Sequence, residues 1–217
     1  MNKVYEGKNG TKIRLINGDC MEALRGMKEN QYDLAIVDPP YGINEDGGKD
    51  RRGKSKHKKK RWDNNTPTNV YFDEIKRTTK NQIIWGANYF NMPPSMGYVC
   101  WDKKLDNSDF SDFELAYTSF ERAAKIFRFS KNGGSRTFAA LADIIHPTQK
   151  PVQLYKWLLK NYAEEGQTIL DTHGGSMSIA IACYDMGFDL TCYELDKDYY
   201  NAAVKRFEKH IQQSQLF

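Results

Sequence analysis

The chain is short of cysteine, of clustered histidine and of long apolar runs, and each shortage removes a class of protein. Its four cysteines, Cys20, Cys100, Cys183 and Cys192, make no CxxC pair, and its four histidines are scattered. Neither a zinc site nor a disulfide framework follows from that spacing, so reduced thiols in a cytoplasmic protein without metal are expected. No stretch reaches the ~18 apolar residues that a membrane span needs. The opening MNKVYEGKNGTKIRL has no apolar signal core, so neither export nor a membrane partner is expected. Global disorder is excluded by what is there. With 217 residues, 40% hydrophobic and 13% aromatic, the chain suits one domain over 1–217 with a sizeable core.

Acids and bases nearly balance, at a net +4, yet they are unevenly spread. KDRRGKSKHKKKR, from Lys49 to Arg61, holds nine Lys or Arg against one Asp, a local +8 that leaves −4 for the rest. A basic cluster on a mildly acidic body points to a polyanion, nucleic acid first; a solvated loop serving solubility is the plainer alternative. Residues 43–66 carry Gly, Lys, Asn and Pro without periodicity and read as a mobile basic loop.

TKIRLING (11–18), YDLAIVD (32–38), NQIIWG (81–86), GYVCWD (97–102), FELAYTSF (113–120) and AKIFRFS (124–130) read as strands, the fifth with a helical alternative. CMEALRGMKEN is a short helical stretch between the first two. In the last third, Pro151 opens the helix PVQLYKWLLKNYAEEG, with Gly166 as its stop. The strand TILD, the helix IAIACYDMG, the strand LTCYELD and the helix KDYYNAAVKRFEKHIQQ follow. This alternation predicts an α/β fold built on a mostly parallel sheet with helices on both faces.

Two constellations carry chemistry. In ILDTHGGSMSIAIA…LTCYELD, a strand ends in Asp171, a glycine turn leads to a helix near Ser178, and the next strand ends in Glu194. Glycines allow close backbone approach, and an acid at the second strand tip takes ribose hydroxyls. The turn is not GxGxxG and no Arg or Lys is placed for a pyrophosphate, so a phosphate-free nucleoside fits, S-adenosylmethionine being the common one. An ordinary βαβ turn with an incidental Glu is the alternative.

The second constellation is DPPYG. Consecutive prolines cannot continue a ladder, so the strand ends with Asp38 at its carboxyl tip. The Asp38 carboxylate and the Pro39 carbonyl can accept the two hydrogens of an exocyclic base amine and free its lone pair. Tyr41 would stack on a base taken out of the duplex, a contact worth ~1–3 kcal/mol.

Together these motifs resemble the amino-methylating DNA methyltransferases, in the permuted group whose DPPY precedes the cofactor half. DPPYGI, HPTQKPVQLYKWLL (146–159), ILDTHGGSMSIAIA and YELDKDYYNAAVKR match its motifs in order, and NGDCMEAL (17–24) resembles its opening. RWDNNTP…KNQIIWGANYF…CWDK is similar to small phage-like members. The resemblance implies a class I S-adenosylmethionine-dependent methyltransferase (Rossmann-like) fold, S-adenosylmethionine as donor, and double-stranded DNA with the target base flipped out. Asp38, Pro39, Pro40 and Tyr41 become the catalytic group. Asp171, Gly174, Gly175, Ser176 and Glu194 become cofactor contacts, with Thr148, Gln149 and Lys150 near the methionine end and Asp19 beside the adenine. His146 and His173 are expected to be structural. Met177 departs from the family, which has a glycine there. Its thioether would crowd the cofactor or pack beneath the turn, and the first outcome would leave a DNA-binding module without activity.

Asp rather than Ser before Pro-Pro-Tyr tilts the resemblance toward adenine N6, with cytosine N4 as rival; RNA and a protein glutamine are further substrates of the same chemistry. Lys49, Arg51, Arg52, Lys54, Lys56, Lys58, Lys59, Lys60 and Arg61 are the expected DNA-backbone contacts. Sequence reading is expected from loops 43–66, 103–112 and 131–143, or from a second subunit in a homodimer. The flexible tail 212–217, with Gln213, Leu216 and Phe217 in Q-x-x-L-F spacing, resembles sliding-clamp peptides, against the alternative of a frayed helix end.

Overall fold

The computed structural model describes residues 2–44, 60, 62–105, 111–130 and 144–214. Most of the basic loop, residues 106–110 and 131–143 and the last three residues therefore lie outside the described residues. With them go the Leu216–Phe217 pair of the clamp-like tail and, Lys60 excepted, all the expected DNA contacts.

Among the described residues, nine strands form one sheet: β1 (Asn2–Glu6), β2 (Lys12–Asn17), β3 (Tyr32–Val37), β4 (Thr79–Trp85), β5 (Tyr98–Asp102), β6 (Phe113–Thr118), β7 (Lys125–Arg128), β8 (Thr168–Asp171) and β9 (Asp189–Glu194). Their spatial order is β1-β2-β9-β8-β3-β4-β6-β5-β7. The five central strands from β2 to β4 are parallel, β1 and β6 run against their neighbours, and β7 returns parallel to β5. The segment FELAYTSF is thus a strand, paired on both sides.

The central strands are buried on both faces, which is why they read as unbroken apolar runs rather than alternating ones. Successive side chains still divide between two cores. Leu34, Ile36, Ile83, Trp85 and Ile169 face one core, shared with helices α3 (Val152–Tyr162), α4 (Ser178–Met186) and α5 (Lys197–Ser214). Ala35, Val37, Ile84 and Leu170 face the other, under α1 (Cys20–Gly26) and α2 (Asn69–Thr78). Helices therefore cover both faces. Helix α4 is buried from Ser178 to Cys183, which accounts for its apolar composition all round.

Four details depart from the sequence reading. Strand β1 and helix α2 are additional elements, and α3 ends at Tyr162, four residues before Gly166. The expected mobile loop is anchored at its far end, where Asp63 is buried and bonded to the turn after β3.

From β8 the chain passes through α4 to β9 on one side of the sheet; from β3 it passes through α2 to β4 on the other. The sheet therefore has its switch point between β8 and β3, and a ligand crevice belongs at the carboxyl ends of these two strands. Asp171 ends one of them and Asp38 follows the other.

Candidate active site

At the tip of β3 the Asp38 carboxylate is held from two sides. The Tyr41 hydroxyl donates to Oδ1 at 2.5 Å and the Lys150 ammonium donates to Oδ2 at 2.5 Å. Lys150 also reaches the Tyr41 hydroxyl oxygen at 3.2 Å and Glu114 Oε2 at 3.0 Å, while Lys103 pairs with Glu114 Oε1 at 2.8 Å. Two lysines and two acids thus form a neutral chain, and their burial decides its character: the Lys150 and Lys103 side chains are only 2% and 8% exposed. Burial raises the Asp38 pKa above the ordinary carboxylate value, against the pull of Lys150. Burial also works against the Lys150 ammonium, but Asp38 and Glu114 outweigh it and its pKa lies above that of a free lysine. Burial would raise Glu114 too, yet Lys150 and then Lys103 bring it down to about 2. The Tyr41 phenol stays protonated, pushed up first by burial and then by Asp38.

The Tyr41 ring lies against the backbone of Gly86, where an added Cβ would collide with the ring carbons. Gly86 also adopts φ +79°, so only glycine fits the end of β4 without strain. Tyr89 stacks on Tyr41 with centroids 4.9 Å apart and planes 13° apart, and Phe90 meets its edge at 6.1 Å. The turn itself is pinned by Asp63, whose Oδ1 accepts from the backbone N–H of Tyr41 at 2.7 Å and of Gly42 at 2.8 Å.

Along the same edge lies the glycine turn. Glu194, at the tip of β9, accepts from Gly175 N–H and from Asp196 N–H, each at 2.7 Å and each on a different oxygen. Each carboxylate oxygen has two lone pairs, so one per oxygen remains for a pair of vicinal hydroxyls. Burial raises the Glu194 pKa. Asp171 is 1% exposed and accepts from His173 N–H at 2.9 Å. Burial lifts its pKa to about 8, with Asp38 and Glu194 adding to the rise and Lys150 opposing it, so the two constellations share one electrostatic neighbourhood. A crevice whose strand tips carry Asp38, Asp171 and Glu194 suits a cationic, phosphate-free nucleoside, and the residues fit S-adenosylmethionine on that ground.

Met177 does not project into the crevice. It is fully buried in the core at φ +52°, with its Cγ 3.2 Å from where a Gly174 Cβ would sit. The thioether packs beneath the turn, and Gly174 leaves the room for it. Ser176 is buried, its hydroxyl 3.1 Å from that of Ser178, and Arg206 of α5 donates to its carbonyl at 2.9 Å. His146 lies 3.6 Å from a Cβ position on Gly175, between Trp62 at 5.2 Å and Tyr199 at 4.4 Å. Burial lowers the His173 pKa to about 4, which keeps that ring neutral beside Tyr71 and Thr172.

The remaining expected residues divide. Asp19 sits at the tip of β2 but caps α1, accepting from Met21 N–H at 2.8 Å. Thr148 and Gln149 bond locally, to His146 and to the Ile145 N–H. Lys150, expected near the methionine end of the cofactor, is bonded to Asp38 of the catalytic turn. Lys60, expected on DNA, pairs with Asp196 at 2.6 Å and Asp198 at 2.7 Å and lies over the Tyr199 ring at 4.7 Å. Its charge is met within the fold. Sequence reasoning missed Glu114, Lys103, Asp63 and Tyr89. The only signal for the first two was a charged residue set within, or just after, strands otherwise apolar: FELAY and CWDK.

An acid-Pro-Pro-Tyr turn beside a nucleoside-type crevice, on a sheet of this order, defines the class of methyltransferases acting on planar amines. Comparison with known proteins places the chain within that class. The profile of the DNA methylase family N6_N4_Mtase matches residues 56–205, and the chain belongs to this family. The type II methyltransferase M2.DpnII of Streptococcus pneumoniae is 23% identical over 254 residues, covering 96% of this chain and 93% of the relative. Among solved structures, the cytosine-N4-specific PvuII DNA methyltransferase superposes with a TM-score of 0.60 at 14% identity, over 91% of this chain and 89% of the other. The M1.HpyAVI–SAM complex gives 0.56 at 17% identity, over 88% and 98%. The fold is the class I methyltransferase fold, and the chain is a DNA methyltransferase of the amino-methylating family.

Proposed function

We propose that this chain transfers a methyl group from S-adenosylmethionine to N6 of adenine in double-stranded DNA, on a base flipped out of the helix. The observation that carries this reading is the position of Asp38. Its carboxylate sits at a strand tip within the electrostatic reach of Asp171, beside the Tyr41 ring. Asp38 and the Pro39 carbonyl take the hydrogens of the base amine and turn its lone pair outward, while Tyr41 supports the base face. Glu194 holds the donor's ribose hydroxyls, and Asp171 meets its positive charge, which would also draw down a carboxyl pKa now near 8. When bound, the donor supplies an electrophilic methyl on sulfur. No covalent enzyme intermediate is needed. Asp38 or a water then takes the amine's proton.

Asp at the head of DPPY supports adenine over cytosine through the family resemblance. The test is nucleoside analysis, with single-molecule sequencing, of DNA from cells expressing the chain. N6-methyldeoxyadenosine in a fixed sequence context is expected. N4-methyldeoxycytidine would move the reading to the cytosine branch, and no modified base would mark a DNA-binding module. Asp38→Ala should lower turnover on the order of 100- to 1,000-fold while donor binding, measured by calorimetry, persists.

A further inference from the structure

We propose that Glu114 is a positioning residue for methyl transfer: it takes over the Lys150 ammonium so that Asp38 is free to receive the base amine. The inference rests on the methylation reading above and assigns a role that the reading leaves open.

The need arises from the state of Asp38. Both of its oxygens are engaged, one by Tyr41 and one by Lys150, at distances typical of strong charge-assisted bonds. Each oxygen keeps a second lone pair, but the ammonium draws off the charge that would attract the hydrogens of a neutral amine. Asp38 becomes a stronger acceptor if Lys150 yields, yet a buried ammonium cannot simply be left alone, because an unpaired buried charge is strongly destabilising. Glu114 answers this. Its buried Oε2 is already ion-paired with Lys150 Nζ at 3.0 Å, but without the alignment of a full hydrogen bond. Its other oxygen is fixed by Lys103 at 2.8 Å, so Oε2 stays beside the ammonium. A small rotation of the ammonium exchanges an N–H bond to Asp38 for one to Glu114. No proton moves, and the four charges still sum to zero. Only the partner of Lys150 changes.

The position of Glu114 follows from topology. β6 runs against β4, with Ala116 opposite Trp85, so the beginning of β6 lies beside the carboxyl end of β4. An acid near the start of that strand therefore reaches the edge where the parallel strands end.

The test uses the full chain, a duplex substrate and S-adenosylmethionine. Glu114→Gln keeps the shape and removes the charge. It should lower kcat on the order of 100-fold, with KM for the donor and Kd for DNA changed by less than about twofold. In a Lys150→Met background the same substitution should cost no more than about twofold further, because the residue acts through Lys150. Wild-type turnover by Glu114→Gln, or multiplicative losses in the double variant, overturns the proposal. A crystal structure of the wild-type chain with bound duplex gives a reading that no variant's folding can obscure. Lys150 should be hydrogen-bonded to Glu114 Oε2 and withdrawn from Asp38; Lys150 still on Asp38 with the flipped base in place overturns the idea. The underlying reading fails differently: an inert wild type removes methylation itself, a fully active Asp38→Asn removes the Asp38 carboxylate from the reaction, and the role of Glu114 falls with either.

Discussion

Asp63 shows how much one side chain can decide. A single carboxylate oxygen satisfies two adjacent backbone donors, those of Tyr41 and Gly42, within a turn that prolines have already barred from the sheet. Asp63→Ala should cost about 1–3 kcal/mol of stability, the usual penalty for buried donors left unmet, and should reduce turnover on the order of 100-fold by loosening the turn. Asp63→Asn retains an acceptor oxygen and should recover most of both. Denaturant unfolding and steady-state kinetics on the two variants check this. Asp38, Pro39 and Tyr41 are legible in the sequence because their meaning is local: a strand, a stop, an acid and a ring in consecutive positions. Asp63, Glu114 and Tyr89 are not, because each acquires its meaning from a partner distant in the chain. Lys150 stands in a legible motif, but the carboxylate it meets is 112 residues away.

Among the elements, the turn between β8 and α4 leaves little space around its glycines. Gly174 faces Cys192 Sγ, which would stand 2.6 Å from an added Cβ, and Met177 lies close behind. Gly174→Ala should destabilise the fold by about 1–3 kcal/mol through overpacking. Adding Cys192→Ala should return part of that loss, since it removes the atom the new methyl meets. The shift of the urea midpoint across the two variants measures it. The glycine turn and its flanking strands are readable because βαβ punctuation is strong, with Asp171 and Glu194 at predictable tips. The exchange of a family glycine for Met177 is ambiguous in sequence; buried contacts beneath the turn resolve it. Helix α2 is hard to read because its apolar positions, Tyr71, Phe72 and Ile75, follow directly on a stretch of polar and proline residues.

Taken whole, the chain combines a basic run in its sequence with acidic tips on its sheet, Asp38, Asp171 and Glu194. If Lys49–Arg61 contacts DNA backbone, neutralising the run without Lys60 should flatten the dependence of log Kobs on log salt by about 0.9 for each phosphate left without its cation. Lys60→Met should leave that slope unchanged, because its charge already faces Asp196 and Asp198. Fluorescence anisotropy with a labelled duplex over a salt series separates the two. The parallel centre of the sheet could be foreseen from alternating strands and helices. The edges could not: β1, and the reversal of β6 between two strands of opposite sense, depend on pairing choices that no single segment encodes.

That reversal has a consequence for how such a chain could acquire a new DNA target. The connection from β5 to β6 carries Lys103 at its start and delivers Glu114 just past its end. Any graft into this hairpin to alter recognition would also move the two groups that hold the ammonium in place. Were this connection to read DNA sequence, selectivity and speed would be tied through one loop, and changing one without retuning the other should be uncommon.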